Sequence, residues 1–426
     1  MSGSAELPYV TDDDAKEYII KRFEANEIQN RRLTKGNLMN YMLIKERSKI
    51  HNIKEGVQGL SSLHYVKVHV RSHLSTRDKN KVRVVLGVPY TLLLVEMMLL
   101  SSLTNHIYRN CDFVGWGYET FKGGLKKLRD KFGNYTAYLS LDFSAFDKRI
   151  PHWMIRDIHS IWNSSIDNSR YYVDDPRYPD SNANPDRTQR LWNFMYEGVT
   201  QCTYLMPDGS KWKYEHSGFG SGLYQTQLLG SCANFVMITS ALLSIGFTAD
   251  EFKIVVLGDD SLICLNYEGN LKMLLLQITT FCKNNFNALI NVEKSVFYNS
   301  SEHLQFLSYK YVNGVVTRVR KDLLARLLFP ENGKYSAGTT KSRALGIMMS
   351  NLGDDLEVHD VCRRILDELK DVPYDEEEQD WFDKIKLDFA LKKFEGSIPT
   401  RDDLMRLANT IPEDIYVDNV FDYLFK

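Results

Sequence analysis

The segment FKIVVLGDDSLICLNY, residues 252–267, constrains this chain more than any other. Two short apolar runs rich in β-forming residues flank a Gly-Asp-Asp turn, and runs of this length around a tight turn read as the strands of a hairpin. The apolar flanks hold the strands rigidly, so Asp259 and Asp260 are pushed outward side by side. Adjacent carboxylates repel one another. A divalent cation relieves that repulsion, and Mg²⁺ takes one or two carboxylates together with substrate phosphates rather than a complete protein cage.

A third acid, Asp142, closes the alternating strand TAYLSLDF (136–143), and a strand lying parallel or antiparallel to the hairpin would bring it alongside. Three acids so gathered suit a two-metal centre, in which ions roughly 3.5–4 Å apart clamp the attacking and leaving oxygens of an in-line phosphoryl displacement. Single fragments carry little weight. Leu-Gly-Asp-Asp occurs twice, at 257–260 and at 352–355. The second copy precedes LEVHDVCRRILDELK, an amphipathic helical pattern that makes Asp354 or Asp355 a helix cap. Order along the chain is more specific: a strand ending in DFSAFD, then SGFGSGLYQTQLL, then the strand–GDD–strand hairpin.

The remainder reads as mixed α/β. Residues 14–60 and 89–130 carry helical patterns, 164–190 form a loop rich in Asp, Asn, Pro, Ser and Arg, and a long helix runs from Leu223 to about Ile245. Beyond about Asp322 helical patterns dominate, with charged loops near Asp371 to Asp380. At 426 residues and 43% hydrophobic content, the chain can bury a large core spread over two or three lobes. No stretch approaches the roughly 20 apolar residues of a membrane span; the longest, Val82 to Leu103, is interrupted by Arg83, Pro89 and Glu96. The N-terminus MSGSAELPYVTDDD lacks a secretory signal, so a soluble intracellular protein is expected. Six cysteines without CxxC spacing or paired histidines indicate neither zinc nor a disulfide framework. The formal net charge of -2 conceals an asymmetry: Lys16 to Arg83 holds 16 Lys/Arg against 6 Asp/Glu, and residues 351–426 hold 10 against 21. The basic third suits phosphate binding and the acidic end a surface turned from nucleic acid or toward another protein, although each also reads as a solvated face.

The ordered segments resemble the palm motifs of viral RNA-dependent RNA polymerases, and in detail those of partitiviruses, which have double-stranded RNA genomes. Five stretches carry the resemblance: KVRVVLGVPY (81–90), LDFSAFDKRIPHWMI (141–155), GFGSGLYQTQLLGSCAN (218–234), VVLGDDSLI (255–263) and NVEKSVFYNSSEHLQFLSYKYVNG (291–314). The resemblance as a whole covers roughly residues 67–330. The resemblance implies a right-hand polymerase fold of α+β class. Fingers would come from 1–135 and 151–215, an antiparallel-sheet palm from 136–150 and 216–310, and a helical thumb from 311–426.

It further implies roles for individual residues. Asp142, Asp259 and Asp260 would bind two Mg²⁺ or Mn²⁺ ions, Asp260 less directly. Lys81 and Arg83 would lie over the triphosphate, with Arg71 assisting or simply solvated. Ser221 and Gly222 would form a movable turn near the templating base and ribose, with Thr226 on the helix that follows. Lys294 would protonate pyrophosphate as a general acid, although NVEKS also reads as an exposed turn. Phe306 and Tyr309, which by themselves read as strand core, would belong to the element gripping the primer end. One position departs from the resemblance. Four residues after Thr226, where such enzymes carry Asn or Asp, stands Gly230, which places ribose selection on Asp147, Ser221 and Thr226, helped by Asn234. RNA template and product, NTPs and a viral capsid protein are the implied partners, in the host cytoplasm and within the virion. A reverse transcriptase, or an inactive RNA-binding protein on the same scaffold, are the alternatives.

Overall fold

The computed structural model describes residues 8–72, 74–75, 82–118, 120, 123–168, 184–330, 333, 335–374 and 398–410. The chain divides into two compact units. The first comprises Met1–Val70, Val84–Thr104 and Ala145–Ala233, and the second Arg71–Arg83, Asn105–Ser144 and Asn234–Lys426.

Chain order begins with helices α1 (Asp13–Glu24) and α2 (Lys35–Lys54), strands β1 (Val66–Ser72) and β2 (Val82–Gly87), and helices α3 (Tyr90–Asn110) and α4 (Gly124–Phe132). Strands β3 (Ala137–Ser140) and β4 (Phe143–Ser144) precede helices α5 (Phe146–Arg149), α6 (His152–Ser164) and α7 (Pro185–Gln201). Strands β5 (Tyr204–Leu205) and β6 (Lys211–Trp212) lead to α8 (Thr226–Ile245), the hairpin β7 (Phe252–Leu257) and β8 (Asp260–Leu265), and α9 (Leu271–Phe286). Short strands follow: β9 (Leu289–Ile290), β10 (Val296–Tyr298), β11 (His303–Phe306), β12 (Tyr309–Val312) and β13 (Val315–Thr317). The last described elements are helices α10 (Arg320–Leu328), α11 (Ala337–Asn351), α12 (Leu356–Glu368) and α13 (Arg401–Asn409).

The first unit is anchored by capped helices. Asp12 and Thr34 accept backbone N–H bonds at the starts of α1 and α2, so each helix begins where a short polar side chain can satisfy an orphan donor. Tyr9, Ala15, Ile19, Leu38 and Met42 pack together between them. The buried Glu46 of α2 accepts from Tyr9 and Thr91 hydroxyls, which compensates for removing its carboxylate from water. Helix α7 starts at Pro185 behind an Asn184 cap, earlier than the expected loop end at 190, because proline at the first helical position and asparagine before it form a start signal. Most of that expected loop, residues 169–183, and much of the charged segment after Asp371 lie outside the described residues.

In the second unit the sheet order is β10-β3-β8-β7, antiparallel at every step. One face of it, Tyr138, Val255, Leu262 and Cys264, packs on Leu125, Leu128 and Phe132 of α4 and on Leu304, Phe306, Tyr309 and Tyr311 of the neighbouring three-stranded sheet β11-β12-β13. Expected helix over 89–130 is interrupted. After α3, Val114 forms an isolated bridge with Val256, and Gly115 donates to the Val256 carbonyl (2.7 Å). A side chain at Gly115 would meet the Phe306 ring at 2.7 Å, so the close approach needs glycine. The helices α10–α13 share a second core, including Leu323, Met348, Val358, Cys362 and Leu404.

Helix α8 is long and apolar enough to cross a membrane, contrary to the expectation that no stretch is; 56% of its apolar window is buried inside the protein, as in a core helix. In the second Leu-Gly-Asp-Asp, Asp355 is the cap of α12, accepting from Val358 N–H at 3.1 Å, whereas Asp354 is not.

Candidate functional site

Hairpin register builds the acidic cluster. Leu257 pairs with Asp260, leaving a two-residue turn of Gly258 and Asp259, and Gly258 has φ +67°, the positive value that such a turn requires at its first position. Strand β3 pairs with β8 as Ala137↔Leu265, Tyr138↔Cys264 and Leu139↔Ile263. That ladder ends three residues before Asp142, whose charge nonetheless acts on Asp260. Asp142 does not end a continuous strand, as the sequence pattern implied; it occupies the break between β3 and β4.

Residues that the sequence reading passed over hold this break in place. The Asp142 N–H donates to Ser295 Oγ (3.0 Å), and Ser295 in turn donates to the Asn291 carbonyl (2.8 Å). Asn291 N–H donates back to the Asp142 carbonyl (2.7 Å), next to the Phe143↔Ile290 pair of β4 and β9. The Leu141 N–H reaches Ser261 Oγ at 3.4 Å. With main chain gripped on both sides, the Asp142 carboxylate is left half-exposed beside the hairpin turn. Burial first, and then the charges of Asp259 and Asp142, push the Asp260 carboxyl up to about 6. Among the described residues no group of three or more acidic, histidine or cysteine side chains is placed to hold a metal ion by itself.

Asn234, expected to help at the ribose, packs against the hairpin turn. It is fully buried, and its amide donates to the carbonyls of Gly258 (3.0 Å) and Asp259 (3.1 Å), with a long contact to Asp260 (3.5 Å). It braces the turn from α8. Asn234→Ala should therefore cost about 1–3 kcal/mol of stability by stranding those buried carbonyls. The ratio of GTP to dGTP use should stay within about twofold of wild type, since the lost bonds touch no sugar. A ratio that collapses in steady-state incorporation would return Asn234 to the ribose.

Lys294 sits in an Asx-type turn, its N–H bonded to Asn291 Oδ1 (3.2 Å), with its ammonium 3.9 Å from Asp142 Oδ2. Both side chains are well exposed, 66% and 44%, so the pair adds little stability and leaves the ammonium free to reach a ligand. Phe306 and Tyr309 are buried core, paired across the β11–β12 turn; the Tyr309 hydroxyl donates to the Ser350 carbonyl and accepts from Arg318, both at 3.1 Å. Arg71 and Arg83 are exposed on β1 and β2, neighbours in one sheet. Lys81 lies outside the described residues.

The first unit carries the Ser221–Gly222 turn. Gly222 has φ +120°, and a Cβ there would meet the Leu86 carbonyl at 2.9 Å, so conformation and space both demand glycine. Helix α8 starts at Thr226 rather than Leu223, and Thr226 Oγ1 donates to the Gly220 carbonyl (3.2 Å). Upstream, Phe219 N–H donates to the Asp147 carbonyl (3.0 Å) and Gly218 N–H to that of Ile150 (2.8 Å). The Asp147 charge adds to burial in pushing Tyr214 up to about 12. Gly230 is buried in α8.

An antiparallel sheet presenting acids at a central hairpin turn and beside the adjoining strand, preceded in the chain by a glycine turn opening a long helix, is the palm-type arrangement of a polymerase fold. The chain belongs to the viral RNA-dependent RNA polymerase family, whose profile matches residues 69–365. It is 28% identical over 312 residues to the RNA-directed RNA polymerase of White clover cryptic virus 1, covering 70% of this chain and 50% of that protein. It is 25% identical over 380 residues to the enzyme of the same name from Atkinsonella hypoxylon virus, covering 78% and 57%. The chain thus spans about half the length of these relatives. Among solved structures, the RNA-dependent RNA polymerase of a sicinivirus shares the fold, with TM-score 0.55 and 15% identity over 75% of this chain and 65% of the other.

Proposed function

We propose that this chain performs template-directed RNA synthesis, joining NTPs to an RNA 3′ end on an RNA template. The observation that carries the reading is the convergence of Asp142 with Asp259 and Asp260 at adjacent strand ends, with Asp260 pushed up by the other two charges as well as by burial. These three acids would hold Mg²⁺ or Mn²⁺, two ions in the arrangement we favour, which when bound polarise the reacting phosphoryl oxygens. Ser295, Asn291, Ser261 and Asn234 orient the acids. Lys294 is in reach of the acid cluster and would deliver a proton to departing pyrophosphate. Arg83, with Lys81 and Arg71, would neutralise the triphosphate, where fixed cations offset charge on the leaving group. Phe306 and Tyr309 would support the primer-gripping hairpin from its core side. We assign residues 136–150 and 216–310 to the palm, with fingers before and between them and the thumb after.

The test is incorporation of labelled NTPs on a defined RNA template, with and without Mg²⁺ or Mn²⁺, against dNTPs as comparison. Template-dependent product requiring the metal supports the reading; none with either ion, from folded protein, defeats it. Ribose selection gives a finer test. If the Asp147 carboxylate accepts the 2′-hydroxyl, Asp147→Ala should lower the GTP over dGTP efficiency ratio by roughly tenfold or more, a charged hydrogen bond being worth about 1.5–3 kcal/mol. A ratio within about twofold of wild type removes Asp147 from sugar recognition.

A further inference from the structure

One buried acid takes no part in the chemistry above. Glu96 of α3 is 0% exposed in the middle of an otherwise apolar run, TLLLVEMMLL. Its two oxygens are both engaged by the residues that follow the Ser221–Gly222 turn: Oε2 accepts from the Tyr224 N–H (3.0 Å) and Oε1 from Gln225 Nε2 (2.8 Å). Gln225 is itself 1% exposed, and with its amide nitrogen committed to Glu96, its Oε1 faces Nε2 of His159. His159 is buried among the rings of Trp162, Trp192 and Tyr196, and its Nδ1 has no hydrogen-bond partner among the described residues.

The chain of donors runs one way. Burial pushes the Glu96 carboxyl up to about 7, so it is fully ionised only above that pH; as a carboxylate it can only accept, which turns the Gln225 NH₂ to Glu96, its oxygen to His159, and the His159 proton to Nε2. Burial drives His159 down to about 4, which keeps the ring neutral and makes the tautomer meaningful. No acid stands in the first turn of α8, so Glu96, reaching from another helix, supplies in its ionised form the negative charge that the N–H groups and helix dipole favour there. Upstream, the same turn is tied through Gly218 and Phe219 to the segment 147–152. It is therefore fixed on both sides while Gly222 keeps positive φ between them.

We propose that Glu96 is a positioning residue: through Gln225 and His159 its carboxylate holds the Ser221–Gly222 turn in one conformation, the one from which incoming nucleotide is selected. The proposal rests on the reading of this chain as a polymerase, and on that turn as its nucleotide-selecting element. Glu96→Gln keeps size and removes the charge. The substituted amide would accept from the Tyr224 N–H through its oxygen and turn its NH₂ toward Gln225, which must flip and donate to His159 Nε2, moving the histidine proton to Nδ1 where no acceptor waits. The exchange Glu96→Gln with Gln225→Glu restores every donor and acceptor, with the carboxylate one position along the chain of bonds.

Three readouts test this. With the turn only fractionally competent, E96Q should raise the KM for NTP about tenfold and leave kcat within about threefold, because bound nucleotide reselects the competent form. The E96Q/Q225E pair should bring KM back to within about threefold of wild type. In ¹⁵N-histidine spectra His159 should be protonated on Nε2 in wild type and in the pair, and on Nδ1 in E96Q. Amide exchange over 221–226 should quicken at least about tenfold in E96Q alone. An unchanged KM, a fall in kcat with KM constant, a pair that fails to recover, or an unchanged tautomer would each overturn the proposal. Should E96Q not fold, the wild-type spectrum still decides, since an Nδ1-protonated His159 is incompatible with the network. If wild type makes no RNA, the polymerase reading fails by itself, while tautomer and exchange still report on whether Glu96 holds the turn.

Discussion

Asp259→Asn is expected to abolish nucleotide incorporation, by on the order of 10³-fold or more, in a protein that is at least as stable as wild type. Asp259 is exposed at the tip of the hairpin, so no packing depends on it. Its charge does act on Asp260, whose carboxyl is pushed up to about 6 by burial first and by Asp259 and Asp142 after that. The native state therefore holds the Asp260 proton more tightly than the unfolded chain, and stability falls as pH rises from about 4 through about 6. Above that range the penalty is fully present, and below it absent. Without metal, D259N should raise the melting temperature at pH 7–8 and change it little near pH 4. Addition of Mg²⁺ or Mn²⁺ should stabilise wild type more than D259N, because only wild type binds the ion well. The second Leu-Gly-Asp-Asp is the control: Asp355→Ala removes the cap of α12 and its pairing with Arg320, costing about 0.5–2 kcal/mol while leaving activity measurable. Equal loss of activity from both folded variants would refute the assignment of the hairpin acids.

Lys294→Leu should slow single-turnover incorporation by about 10²–10⁴-fold, the usual worth of a general acid, without a comparable loss of RNA affinity. The geometry makes the separation clean. Lys294 projects from a turn whose backbone is fixed by Asn291, and its ammonium makes only a long, solvated contact with Asp142, so leucine should disturb neither the fold nor the acid cluster. Lys294→His should recover part of the rate and shift the pH profile downward, since an imidazole titrates several units below an ammonium. A leucine variant with unaltered single-turnover rates would leave Lys294 as a surface lysine.

Local signals revealed much of this molecule. The hairpin at 252–265, its acidic turn and the long helix ending at Ile245 were readable because apolar runs, a tight glycine turn and helical periodicity operate within about 20 residues of chain. The same holds for the cap at the second Leu-Gly-Asp-Asp, although only the structure separates Asp355 from Asp354. Other features left no local mark. The turn joining β11 and β12 places Leu307 and Ser308 at φ 53° and 66°, values that usually call for Asn or Gly. Packing of Leu307 and its paired neighbours Phe306 and Tyr309 into the core compensates for that strain.

The supports of the site were likewise decided in three dimensions. Ser295 grips Asp142 from 153 residues away, and Glu96 reaches Tyr224 across 128. Asn234, 25 residues before Asp259, donates to the hairpin carbonyls. A hydrogen bond of this kind depends on which elements pack together, and no propensity or spacing in the sequence encodes that pairing. One trace was present in advance: a lone glutamate inside an apolar helix must find buried donors, and Glu96 was visible as that anomaly in TLLLVEMMLL. Which donors it found, the two at the start of α8, only the folded chain could settle.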